Sequence, residues 1–295
     1  MAAAVRVYHR SVSVHATAAT DRQAGAPDES GDRLYFQSTG EGSPPFVFVH
    51  GFACSHADWA AQVGHFAPRH TVLACDLRGH GKSPGDPADC SIEIYGADIL
   101  ALLKRLELPP AILVGHSMGC RVVMQVALEA PERVAGLVLV DGSRLGVGEP
   151  DTAERVMREQ MRATGYGAFA RRLFEDMFVP TTEASVKSGI VERALQFPSA
   201  IGAELFPRLV RWDARNMERA LAGIKAPLLV IQSTFVNAQR VRVPLKAGDT
   251  TPWLDLVRTH APQARIEIVA GTGHFPQIET PEAVNRLIGS MLAAG

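Results

Sequence analysis

The chain has 295 residues, with 30 basic and 31 acidic side chains and a formal net charge of −1. That balance supplies no basic footprint for nucleic acid, and no run approaches the roughly 18 apolar residues that a membrane span needs. The first residues lack an uninterrupted apolar stretch before a cleavage site, so no signal peptide is predicted; the four cysteines (Cys54, Cys75, Cys90, Cys120) show no C-x-x-C spacing and read as reduced thiols of a cytoplasmic protein.

The predicted elements begin with two alternating, half-buried segments, 5–14 and 34–37, on either side of a polar, turn-rich stretch; they read as an antiparallel hairpin. Apolar runs follow at 46–49, 71–75, 111–114, 136–140, 227–232 and 265–269, each with the composition of a strand buried on both faces. Helical segments near 57–66, 91–106, 120–129, 253–260 and 281–293 separate them. Buried strands alternating with helices give an α/β class with a mostly parallel central sheet flanked by helices. Between 144 and 222 the pattern changes to amphipathic helices alone, near 150–163, 166–177, 182–196, 199–211 and 213–222. This predicts an inserted all-helical cap, with 1–143 and 223–295 as the two parts of the core.

The chemistry concentrates at Gly115-His116-Ser117-Met118-Gly119, a G-x-S-x-G pentapeptide between the third of these apolar runs, 111–114, and a helix. Such a turn strains the serine backbone and lifts its hydroxyl above the sheet, and the two glycines leave room for it. A serine nucleophile needs a base and an acid that orients the base. His274 lies in Ala270-Gly271-Thr272-Gly273-His274-Phe275, just after the last strand, where such a base is expected. His50-Gly51-Phe52 ends the strand 46–49; the backbone N–H of Phe52, with that of Met118, is a candidate oxyanion hole. A Gly/Ser turn without chemistry is the plainer alternative.

At these residues the chain resembles the α/β-hydrolase superfamily over nearly its whole length. The pieces that carry the resemblance are HGFACSHADW at 50–59, DLRGHGKS at 76–83, GHSMG at 115–119, LVLVDGS at 137–143, PLLVIQS at 227–233 and GTGHFPQIETPEAV at 271–284. It implies an α/β-hydrolase fold and a serine hydrolase that needs no cofactor and no metal. In DLRGHGKS it implies a structural turn with an internal ion pair rather than metal ligation. It does not select a substrate, because the fold hosts many chemistries.

One position departs from the commonest pattern of that superfamily. The acid usually follows the strand 227–232, where this chain reads Gln232-Ser233-Thr234-Phe235-Val236-Asn237, without a carboxylate. Asp141, at the end of the strand 136–140, is the favoured acid, because a short strand-end turn suits a fixed orienting role. Asp249 is the alternative acid, if 235–248 is an insertion. Trp212 and Phe178 of the cap, with His116 beside the nucleophile, are candidate substrate contacts. Arg144, Arg240 and Arg242 read as surface or cap-hinge residues.

The expected reaction is acyl transfer to water from an ester-type bond of a small, largely apolar substrate, as in a carboxylesterase, thioesterase or lactonase. A carbon–carbon or amide hydrolase would use the same residues. A ligand-binding receptor on the same scaffold is a reading of another class. The expected partner is the small-molecule substrate, with a homodimer left open.

Overall fold

The computed structural model describes residues 34–237 and 241–293, so the expected strand at 5–14 lies outside the described residues. The first half alternates strand and helix: β1 (Phe36–Thr39), β2 (Phe46–Val49), α1 (Ala60–Phe66), β3 (Val72–Cys75), α2 (Ile92–Arg105), β4 (Ala111–His116), α3 (Met118–Glu129) and β5 (Val134–Val140). Four helices follow without a strand: α4 (Pro150–Thr164), α5 (Tyr166–Glu175), α6 (Ala184–Gln196) and α7 (Ser199–Gly223). The chain then returns through β6 (Leu228–Gln232), β7 (Thr234–Val236), β8 (Arg242–Pro244), α8 (Pro252–His260), β9 (Arg265–Ile268), α9 (Pro276–Glu279) and α10 (Pro281–Gly289).

Seven strands make one sheet in the order β1-β3-β2-β4-β5-β6-β9. Only β1 runs antiparallel, against β3; the other pairs are parallel. The central strands are apolar almost throughout because each face is covered, with polar residues only at the carboxyl ends of β4 (His116) and β6 (Gln232). Side chains alternate across the pleat, so Val47, Val49, Leu113, Leu137, Leu139 and Val230 join one core, whereas Phe46, Phe48, Val114, Val138, Val140 and Ile231 join the other. α2, α3 and α8 supply the first core, with Ile99, Val122 and Leu254. α1 and α10 supply the second, with Phe66 and Ile288. The edge strand β9 is more exposed and carries Arg265 and Glu267, a charged pair that discourages edge-to-edge pairing.

Helix starts follow local chemistry. Ser91 caps α2 by accepting from the Ile94 N–H, and Thr251 caps α8 with Pro252 in the first helical position. The sequence predicts a break near residue 212, yet α7 is one helix of 25 residues that also tolerates Pro207. It stays continuous because Trp212 is fully buried and its indole N–H donates to Gln125 Oε1 on α3 at 2.7 Å. Tertiary anchoring outweighs the local cost. The antiparallel pair β7–β8 has no counterpart among the predicted elements; two three-residue strands are too short for a period to show. No helix among the described residues is long and apolar enough to cross a membrane.

Candidate active site

The turn from β4 to α3 is forced by close packing. A Cβ on Gly115 would lie 2.3 Å from the Gly119 carbonyl oxygen, and one on Gly119 would lie 2.3 Å from that of Val49. Only glycine fits at either position. Between them Ser117 has φ 53° and ψ −111°, an uncommon conformation for a residue with a side chain. Such strain costs about 1–3 kcal/mol and persists only where the surroundings impose it. Here the Ser117 N–H donates to Val140 O at the end of β5, at 3.0 Å. Arg121, one turn into α3, donates from Nη1 to Ser117 O at 3.1 Å and from Nη2 to Ser143 O at 2.8 Å.

Arg121 also forms a buried ion pair with Asp213 of α7, 2.7 Å from Nε to Oδ1, with side chains 2% and 0% exposed. Asp213 in turn accepts from the Leu145 N–H at 2.7 Å. The pair therefore ties α3, the start of the helical insertion and its longest helix into one unit. Removing one partner would strand a buried charge, at about 3–5 kcal/mol.

Ser117, His274 and Asp141 come together across the carboxyl ends of β4, β9 and β5. The Ser117 hydroxyl donates to His274 Nε2 at 2.9 Å, and His274 Nδ1–H donates to Asp141 Oδ2 at 2.5 Å. Asp141 is 1% exposed and, like Ser117, has a positive φ, 44°. The strand-end turn of β6 supplies donors rather than a carboxylate. Ser233 N–H and Thr234 N–H each donate to Asp141 Oδ1 at 2.8 Å, and the Thr234 hydroxyl donates to Oδ2 at 2.6 Å. Burial alone would raise the Asp141 carboxyl; the His274 contact, the Arg242 charge and Thr234 outweigh it and hold the group at about 2.

His274 is buried and its loop is braced from several sides. Its N–H donates to Met177 O at 2.9 Å, and its carbonyl accepts from His116 Nε2 at 2.8 Å. Ser233 Oγ donates to Gly273 O at 2.7 Å, and Glu279 accepts from the N–H groups of Gly273 and Phe275. Burial, then the Arg242 guanidinium, lowers the imidazole below its ordinary value, against the pull of Asp141. His116 is pushed to about 3, by burial first and then by the charge of His274, so it stays neutral.

Neither the Phe52 nor the Met118 N–H donates to a backbone carbonyl outside its own element among the described residues. The Phe52 ring packs edge-on against Phe197 and Phe206 of the insertion, centroids 5.5 and 5.2 Å away. Phe178 is half-buried and stacks on Phe275, centroids 5.7 Å apart, which puts it beside the His274 loop.

Other expected site residues lie elsewhere. Trp212 is sealed between α7 and α3 rather than facing Ser117, because its indole N–H needs the Gln125 acceptor. His116 is 1% exposed and braces the His274 carbonyl rather than lining an open cavity. Asp249 is in a surface turn, accepting from the Lys246 N–H at 2.8 Å. In DLRGHGKS the ion pair is not internal: Arg78 pairs with Asp98 of α2 at 2.6 Å, while Asp76 takes the His56 and Lys82 N–H groups. His50 shapes the turn after β2 by accepting from the Leu77 N–H at 3.0 Å.

Arg242, which reads from sequence as a surface or cap-hinge residue, instead reaches the Asp141–His274 pair: Nη1 is 3.3 Å from His274 Nδ1 and 3.7 Å from Asp141 Oδ2. Its place depends on β7–β8 pairing, which no local pattern signals. Two surface cavities lie away from Ser117: one between α2, α3 and α7, bordered by Glu93, Gln125 and Arg215, the other between α1, α6 and α9. No group of three or more His, Cys, Asp or Glu among the described residues could hold a metal ion.

A sequence profile described as "Alpha/beta hydrolase family" matches residues 46–287. The chain is 28% identical over 280 residues to a dihydrolipoyllysine-residue acetyltransferase component of the acetoin cleaving system from Pseudomonas putida, covering 91% of this chain and 70% of that protein. It is 26% identical over 267 residues to the esterase YbfF of Escherichia coli K12, covering 83% and 91%. A thermophilic esterase from Thermogutta terrifontis, in its malate-bound structure, superposes with a TM-score of 0.74 at 25% identity, covering 88% of this chain and 93% of that one.

Proposed function

The chain belongs to the alpha/beta hydrolase family, and on that premise we propose that it is a serine hydrolase cleaving an ester-type acyl bond of a small, largely apolar substrate through an acyl-enzyme. One observation carries this reading: a single imidazole bridges the strained Ser117 hydroxyl at 2.9 Å and the Asp141 carboxylate at 2.5 Å.

In the proposed reaction the Ser117 oxygen attacks the acyl carbonyl while His274 Nε2 takes its proton. The N–H groups of Phe52 and Met118 stabilise the oxyanion, and fixed donors in a dry site are worth about 3–4 kcal/mol each. His274 then returns the proton to the leaving alcohol. Water attacks the acyl-enzyme by the same route in reverse. Asp141 keeps the Nδ1 proton in place and balances the imidazolium charge. Because Asp141 stays ionised down to about pH 2, His274 sets the lower edge of the working range. Side chains, backbone N–H groups and water complete the proton balance of this scheme.

The helices α4–α7 serve as a cap in this reading. Phe178, stacked beside the His274 loop, and the Phe52–Phe197–Phe206 cluster beside the oxyanion turn favour an apolar acyl group.

Turnover of p-nitrophenyl acyl esters and labelling by a fluorophosphonate probe test the proposal. Ser117→Ala should abolish labelling and lower kcat by about 10⁴-fold or more without loss of fold. Near-native turnover in that variant would remove the serine from the mechanism.

A further inference from the structure

In this chain the turn after β6, where a carboxylate is commonest, leads into the hairpin β7–β8, and the hairpin returns a cation to the same place. Arg242 opens β8 with its side chain only 13% exposed. Its Nη1 donates to Thr234 Oγ1 at 2.7 Å, and the Thr234 hydroxyl donates onward to Asp141 Oδ2 at 2.6 Å. The same Nη1 is 3.3 Å from His274 Nδ1. That short contact is not a hydrogen bond, because Nδ1 has one proton and gives it to Asp141 at 2.5 Å. It is a fixed positive charge beside the ring, on the side away from Ser117.

We propose that Arg242 is a positioning residue for the base: it holds the Asp141 carboxylate through Thr234 and sets a positive charge against the protonated form of His274. This rests on His274 acting as the general base. The charges around the ring agree with it. Asp141, from the end of β5, favours the imidazolium; Arg242, from β8, and Arg121, from α3, oppose it. His116, from the end of β4, faces the ring at 4.9 Å between centroids and is itself neutral. Asp176, just past α5, acts on Arg242 as a second, more distant carboxylate. Burial and Arg242 together leave His274 below the ordinary histidine value of 6.5 in spite of its carboxylate partner. The consequence is a base that stays uncharged, and so competent, in mildly acidic solution.

A hairpin anchor without electrostatic work would use the same Thr234 contact, so the test must separate charge from anchorage. The reading is the pH profile of kcat/KM on p-nitrophenyl butyrate for the parent, Arg242→Gln, Arg242→Met and Arg242→Lys. Glutamine can still donate towards Thr234 but carries no charge; methionine does neither; lysine keeps the charge. The acid limb should move up by about one pH unit in R242Q and R242M and stay within about 0.3 unit of the parent in R242K. An acid limb unmoved in both neutral variants, or moved equally in R242K and R242M, overturns the proposal. Should neither neutral variant fold, Arg242→Ala, which leaves room for water in place of the guanidinium, takes their part: the His274 imidazole, followed by NMR, should titrate about one pH unit higher than in the parent, and an unchanged value overturns the proposal. Ser117→Ala is run alongside. If it still turns over, the general-base reading falls; if it is inactive while the acid limbs coincide, only the role of Arg242 falls.

Discussion

The Ser117 side and the Asp141 side of the site are built in opposite ways. Ser117 is set by one contiguous strand–turn–helix, by two glycines that nothing larger can replace, and by one bond to the tip of β5. The acid side is gathered from Asp141, Ser233, Thr234, Arg242 and His274, and its central pair is 133 residues apart in the chain. The first is set by the sterics of one short segment against its two neighbouring strands. The second exists only after β5, β6, the hairpin and the His274 loop have all docked. A locally imposed feature announces itself in sequence and resists distant change; a gathered one does neither.

The largest test of that contrast falls on the acid. In Asp141→Asn, Oδ1 can still accept from Ser233 and Thr234, but the new NH₂ faces the His274 Nδ1 proton and the Thr234 hydroxyl, donor against donor. The ring should turn to its other tautomer and kcat should fall by about 10⁴-fold. Steady-state kinetics on the p-nitrophenyl esters measure this. A loss within tenfold would mean that the gathered side is dispensable and only the local side matters.

The next effect is on stability and joins the two sides. His50, His80, His116 and His274 are all buried, and burial is the first cause that pushes each below 6.5. A histidine with a lowered folded value binds protons less readily in the native chain than in the unfolded one. Stability is therefore complete above pH 6.5 and drains away as pH falls below it. For His116, at about 3, the loss at pH 5 is on the order of 2 kcal/mol. Asp141 works lower down: its depressed value adds stability above the ordinary 3.8, lost as pH falls towards about 2. Urea midpoints should drop steadily from pH 7 to pH 5. Midpoints that hold constant over that range would show that the histidines are not buried uncharged.

The smallest expected effect is at Asp249. Its carboxylate accepts one backbone N–H in an exposed turn, and an amide oxygen can do the same. Asp249→Asn should change stability by no more than about 0.5 kcal/mol and leave kcat unaltered. A large rate loss here, with little at Asp141, would transfer the acid to the later loop and invert the contrast.

Legibility in the sequence follows the same division. The doubly covered strands show as apolar runs, and the elbow shows as two glycines around Ser117. The missing carboxylate after Gln232 is equally plain, and it directs attention to Asp141. What takes its place is not plain. Arg242 in a stretch of alternating arginine and valine looks like any exposed strand until β7 pairs with it. Trp212 marks burial but not the neighbour that buries it; only the docked α3, with Gln125, decides that it braces two helices. The length of α7 was hidden for the same reason.

The hydrogen bond from the His274 N–H to Met177 O has a cost in freedom. It rivets the loop that carries the imidazole to the segment joining α5 and α6, and Thr182 adds a second rivet through Glu279 at 2.6 Å. Glu279 serves both sides of that joint, accepting from Thr182 and from the Gly273 and Phe275 N–H groups, so the joining segment and the imidazole loop share one carboxylate. The base is thus pinned to the helical insertion as well as to the sheet.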